Sequence, residues 1–179
     1  QAGATQLFSR SVDGWSAGFP IAWALSPERQ PLVAIGMNDE PLTRDHGFPA
    51  RLVVPGLFGY VSATKWLRRI TLTTWDDEGY WIPRGWAREA PVKTQSRIGV
   101  PADGSALDPG PTVVAGVAWA MQRGIDAVEV RIDGGDWRSA TLGAEPSADA
   151  WRQWSIDWTA TTGEHVIEAR ATDGLGDVQ

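Results

Sequence analysis

At 179 residues, 42% hydrophobic and 21% charged, the chain has an ordinary globular composition and enough length to bury a core in one large or two small domains. A net charge of -6 and a pI near 4.9 argue against a nucleic-acid footprint, which needs a basic face. The absence of Cys excludes disulfides, thiolate catalysis and Cys-ligated metals, and no apolar run approaches the roughly 20 residues of a membrane helix.

In chain order, Pro20 opens the segment Ile21-Ala22-Trp23-Ala24-Leu25, which Ser26-Pro27 stops, so a helix of two turns at most is predicted. Strands are predicted over 32–37, 51–54 and 66–75, the last rich in β-branched residues. From about Ala90 the pattern changes to short strands between turn residues: 93–99, 112–119, 127–132, 137–142, 151–158 and 165–172. Residues 101–111, rich in Gly, Pro, Asp and Ser, read as a loop. Asp133-Gly134-Gly135-Asp136 is the strongest hairpin signature, and before it Val128, Val130 and Ile132 alternate with Glu129 and Arg131. This spacing predicts a mainly β chain whose residues 91–179 form an immunoglobulin-like sandwich, after a more irregular part over 1–90.

Four groups of residues invite a functional reading. Arg44, His46, Arg51, Lys65, Arg68 and Arg69 fall within 26 residues, out of 16 Lys plus Arg in the chain. Guanidinium groups hold phosphate through paired, charge-assisted hydrogen bonds, and Lys adds a point charge. Solvated side chains on strand edges are the plainer alternative. Gly14-Trp15-Ser16-Ala17-Gly18 matches G-x-S-x-G, with Ser16 as a hydrolase nucleophile and His46 or His165 as its base, but the strand–helix alternation of such a fold is missing. Asp76-Asp77-Glu78 and Asp133 with Asp136 lack calcium-loop spacing and read as turns. Trp15, Trp23, Trp66, Trp75, Trp81 and Trp86, among 11 Trp, read as core more readily than as a sugar platform.

The run Met37-Asn38-x-Glu40-Pro41-Leu42-x-Arg44-Asp45-His46-Gly47-Phe48-Pro49-x-Arg51-Leu52-Val53-Val54-Pro55-Gly56, followed by Lys65-Trp66-Leu67, resembles the sulfite-oxidase family of molybdopterin-dependent oxidoreductases. The resemblance continues through Pro91–Ser96, Gly116-Val117-Ala118-Trp119, Gly124–Val130, Asp133-Gly134-Gly135 and Ala171-Thr172-Asp173, so it covers essentially the whole chain. It implies that 1–90 is the C-terminal part of an α+β cofactor domain and 91–179 the immunoglobulin-like dimerisation domain of a homodimer. It implies cofactor contacts from His46, Arg51 and Lys65, helped by Ser62 and Thr64 of the segment before Lys65. The implied cofactor is molybdenum-molybdopterin in the full-length parent, a bacterial enzyme on the extracytoplasmic side of a membrane anchor.

Departures accompany the likeness. The family's molybdenum-binding Cys belongs to an earlier half of the catalytic domain, so neither a catalytic residue nor a metal ligand is expected within this chain. Ile35 stands where sulfite oxidases carry an active-site Tyr, Asp39 where the family has Gly and Thr43 where it has Pro. The expected function is therefore a C-terminal portion of an oxygen-atom-transferring oxidoreductase, inactive alone. A non-catalytic dimerisation or protein-binding module is the alternative from another class, and the Ser16 hydrolase the weaker one.

Overall fold

The structure, a computed structural model, describes residues 3–179. It is mainly β and divides into two compact units, one ending at Val92 and the other spanning Lys93–Gln179. Among the described residues no helix is long and apolar enough to cross a membrane.

In the first unit, β1 (Gln6–Ser11) lies between β2 (Ser16–Pro20) and β7 (Leu67–Thr73) in an antiparallel sheet. The short helix α1 (Ile21–Ala24) follows Pro20 directly, as the sequence predicts. The strand predicted over 32–37 breaks at Ile35 into β3 (Leu32–Ala34) and β4 (Gly36–Met37). Strand β3 pairs with β6 (Arg51–Val53), whereas β4 pairs with β5 (Glu40–Pro41). The turn between β4 and β5 places Asn38 and Asp39 at φ 54 and 62, the mirror-image geometry that matches strand twist and that Asn and Asp tolerate. Helix α2 (Gly59–Ser62) follows β6. Phe19, Leu52, Val54, Leu57, Val61 and Ala90 form the core, with Leu7, Trp23 and Leu67 packed against it.

Two sheet strands here were not legible. In β1, Gln6, Ser9 and Ser11 are buried beside Phe8, so the apolar-polar alternation that marks a strand is absent. Strand β2 is short and contains Gly18, whose backbone lies against the Gln6 and Phe8 side chains.

The second unit is built from two antiparallel sheets. One holds, in spatial order, β12 (Thr141–Leu142), β13 (Arg152–Ala160), β9 (Gly110–Trp119) and β8 (Gln95–Val100). The other holds β11 (Arg138–Ser139), β10 (Ile125–Ile132) and β14 (Ile167–Asp173). Val114, Ala118 and Trp154 from the first and Ile125, Val128, Val130 and Ala171 from the second share one core. Gly116 is fixed by this packing: a Cβ there would lie 2.6 Å from the Trp154 ring. On the opposite face of β10, Glu129 faces Arg170 and Arg131 faces Glu168 in the cross-strand register, each pair bonded at 2.7 Å. Asp133 and Gly134, at φ 54 and 68, make the tight turn into β11. The strand predicted over 137–142 is split at Ala140, because β11 joins one sheet and β12 the other.

Asp173 anchors the end of β14. Burial pushes its carboxyl up, yet hydrogen bonds from the Thr94 hydroxyl, the Leu175 and Asp177 N–H groups and the Arg123 guanidinium outweigh that and hold it below the usual range.

Candidate functional site

The residues of the basic cluster come from three adjacent pieces of the first unit. Arg44–His46 forms a single 3-10 turn closed by Gly47 at φ 105. After it the Phe48–Pro49 peptide is cis and the chain enters β6 at Arg51. The Lys65–Trp66 corner lies against both. Leu52 N–H donates to the Thr64 carbonyl at 2.9 Å and Leu67 N–H to the Ala50 carbonyl at 2.8 Å, so these bonds bracket Arg51 on one segment and Lys65-Trp66 on the other. Trp66 N–H donates to the Gly47 carbonyl at 3.2 Å. A Cβ on Gly47 would sit 2.9 Å from the Lys65 Cβ, so only Gly permits this approach.

Side chains tighten the same junction. Lys65 Nζ donates to the Asp45 carbonyl at 3.0 Å, which holds the ammonium against the turn that carries His46. The Trp66 indole donates to the Arg44 carbonyl at 2.8 Å. The Thr43 hydroxyl lies 2.7 Å from His46 Nδ1, fixing one ring nitrogen and leaving Nε2 for another partner. Thr43 is thus a supporting residue that the basic-cluster pattern does not include.

The charge balance is uneven. Arg88, Arg123, Arg131, Arg152 and Arg170 each meet a carboxylate. Among the described residues Arg44, His46, Arg51 and Lys65 meet none. Arg51 carries the sharpest imbalance, for its Nε is buried and has no hydrogen-bond partner. A buried donor of a charged group left unmatched is costly, so it marks a place where an acceptor belongs.

Other predicted residues lie elsewhere or turn away. Ser62 and Thr64 are buried; the Ser62 hydroxyl donates back to the Phe58 and Leu57 carbonyls, and the Thr64 hydroxyl is 2.6 Å from Ser9 Oγ. Their side chains brace the segment internally. Arg68 and Arg69 are exposed on β7. Ile35 is 73% exposed, next to Ala34, which pairs with Arg51.

Ser16 starts β2 inside an antiparallel hairpin, opposite Arg10, so the strand–turn–helix setting of a nucleophile elbow is not met. His46 is bonded to Thr43, and His165 to Asp133 and Thr161. Asp76 and Asp77 accept from Thr74 and Thr73, Glu78 pairs with Arg88, and the described residues contain no group of three potential metal ligands. The tryptophans serve local ends: Trp81 meets Trp86 at 4.8 Å, and Arg29 covers Trp23.

Residues 1–81 match the family model described as oxidoreductase molybdopterin binding domain. The chain is 33% identical to the mitochondrial sulfite oxidase of Homo sapiens over 92% of its own length and 35% of that protein. Against the sulfite oxidase of Arabidopsis thaliana the identity is 30%, over 92% of this chain and 49% of the other. The chain belongs to the sulfite-oxidase family of molybdopterin oxidoreductases. Within that family its fold also matches the crystal structure of the sulfane dehydrogenase SoxCD from Paracoccus pantotrophus, with a TM-score of 0.78 and 27% identity over all of this chain and 49% of that one. The chain thus spans about a third to a half of the length of the family members it matches.

The residues at the Gly47–Lys65 junction fit the phosphate end of a molybdopterin. The fit rests on the partnerless Arg51 Nε and on a set of cations that form no ion pair among the described residues.

Proposed function

We propose that the first unit supplies part of a molybdopterin pocket, with Arg51 and Lys65 holding the cofactor's phosphate and His46 donating from its free ring edge. The main chain of the Ser62–Lys65 segment closes that end, since the Ser62 and Thr64 side chains are committed inward. The parent protein is an oxidoreductase in which the bound molybdenum supplies two-electron oxygen-atom transfer to or from an oxyanion or sulfoxide-like substrate. This chain's residues act by binding and orienting: their fixed cations lower the energy of the dianionic anchor without reorganising when it arrives.

The observation that supports this reading most is the buried, unmatched Nε of Arg51. In the full-length parent, Arg51→Ala removes a charge-assisted contact worth about 1.5–3 kcal/mol, or roughly 10- to 150-fold in retention. Molybdenum content per polypeptide should fall accordingly, and an unchanged content would sink the assignment.

The second unit is read as the family's immunoglobulin-like dimerisation domain, its two sheets pairing with a second copy through an isologous patch. Sedimentation of the parent should give a dimer, and a strict monomer at high concentration counts against this role.

A further inference from the structure

A second set of unmatched cations lies on the sheet of the first unit. In the register of that sheet, Arg10 of β1 faces Ser16 of β2 on one side and Arg69 of β7 on the other. The three residues therefore form one row on one face, with Cβ atoms of neighbours about 4.5–5.5 Å apart. Like charges placed directly opposite in this way destabilise a sheet unless something of opposite sign joins them.

Nothing among the described residues joins them. Arg10 and Arg69 are both exposed, and neither side chain makes a hydrogen bond or ion pair. The Arg10 guanidinium rests over the Phe8 ring, 5.1 Å from its centre, which keeps it on this face. The Ser16 hydroxyl is likewise without a partner. The nearest acid along the strand, Asp13, is committed to the Ser11 hydroxyl and the Trp15 N–H, which hold its carboxyl below the usual range. A register shift between Arg10 and Ser11 leaves Arg68, also exposed, without a partner opposite it on β1.

Part of the neighbouring surface is covered. The Gln6 side chain, on the same face, donates to the Asp77 carbonyl, and the Tyr80 N–H bonds the Ser16 carbonyl at the edge of β2. The open row begins where that cover ends.

We propose that Ser16, Arg10 and Arg69 form an oxyanion site, taking a free tetrahedral ion of the phosphate or sulfate class, apart from the His46, Arg51 and Lys65 set. The guanidinium pair supplies charge-assisted donors and Ser16 a hydroxyl, on a protein whose net charge of -6 otherwise repels anions.

The test is calorimetric titration of inorganic phosphate into the full-length protein at constant ionic strength, with chloride as the comparison ion. Phosphate should bind in preference to chloride, and Arg69→Gln or Arg10→Gln should weaken it by about tenfold or more. Arg51→Ala should leave this binding unchanged, which separates it from the cofactor reading. In phosphate-free buffer Arg69→Gln should melt no lower than the wild type, because it relieves the opposed charges. Equal binding by wild type and Arg69→Gln, no preference over chloride, or loss with Arg51→Ala instead would each overturn the site.

Discussion

The hydroxyls of Ser9 and Thr64 lie 2.6 Å apart, both fully buried, and tie the middle of β1 to the segment that presents Lys65. Ser9 also donates to the Ala17 carbonyl at 3.2 Å. A hydroxyl has one proton, so Thr64 is the donor and Ser9 the acceptor in the shorter bond. The Lys65 corner is thereby held from beneath by a strand that contributes no residue to the His46, Arg51 and Lys65 set.

That direction makes the two residues unequal. Thr64→Val removes the donor and leaves Ser9 still bonded to Ala17, so it should cost about 1 kcal/mol. Ser9→Ala strips the buried Thr64 hydroxyl of its acceptor and should cost more, about 2 kcal/mol. Urea unfolding of both variants and of the double variant checks this; equal single costs that add fully would contradict the pairing.

Gly47→Ala should destabilise the protein by more than about 1 kcal/mol, because φ 105 and the Lys65 backbone both oppose a side chain. Gly85, at φ 88 with nothing within 4 Å, carries the conformational strain alone. Comparing the two Ala variants by denaturant titration isolates the steric part. Should Gly47→Ala prove no worse than Gly85→Ala, the close approach at Lys65 is wrong.

His165 gives a pH dependence. Its Nδ1 lies 2.8 Å from Asp133 Oδ2 and its Nε2 3.0 Å from the Thr161 carbonyl, so both nitrogens meet acceptors and the imidazolium is favoured. The Asp133 carboxylate, then the Thr161 carbonyl, raise its pKa, while Asp133 is held low, chiefly by His165. A raised folded pKa contributes stability that is full below the unfolded value of about 6.5 and lost as pH rises through the folded value. The Asp133 contribution is present above about 3.9 and lost in acid. The stability gap between wild type and His165→Gln should therefore be larger at pH 5.5 than at pH 9, as read by urea unfolding at each pH. A gap that widens with pH would refute the imidazolium clip.

Much of the second unit was legible because its strands alternate cleanly. Val128 and Val130 against Glu129 and Arg131 give β10 its buried and outer faces, and the Asp133-Gly134 turn needs the positive φ its residues tolerate. Strand β1 was not, since Gln6 and Ser9 are buried only because of partners 71 and 55 residues away. At the candidate site the residue types were visible in the basic run 44–69, but their grouping depends on the bonds from Leu52 to Thr64 and from Leu67 to Ala50. The inward turn of Ser62 and Thr64, and the support of His46 by Thr43, are tertiary facts with no local signature.

The central claim is that Arg51 and Lys65 grip a phosphorylated pterin, and cofactor release from the full-length protein tests it directly. Phosphorylated pterin liberated by denaturation should drop to about a tenth or less of wild type in Arg51→Met and Lys65→Met. Arg97→Met, on the exposed side of β8, should release as much as wild type. Full pterin occupancy in both cluster variants would contradict the account.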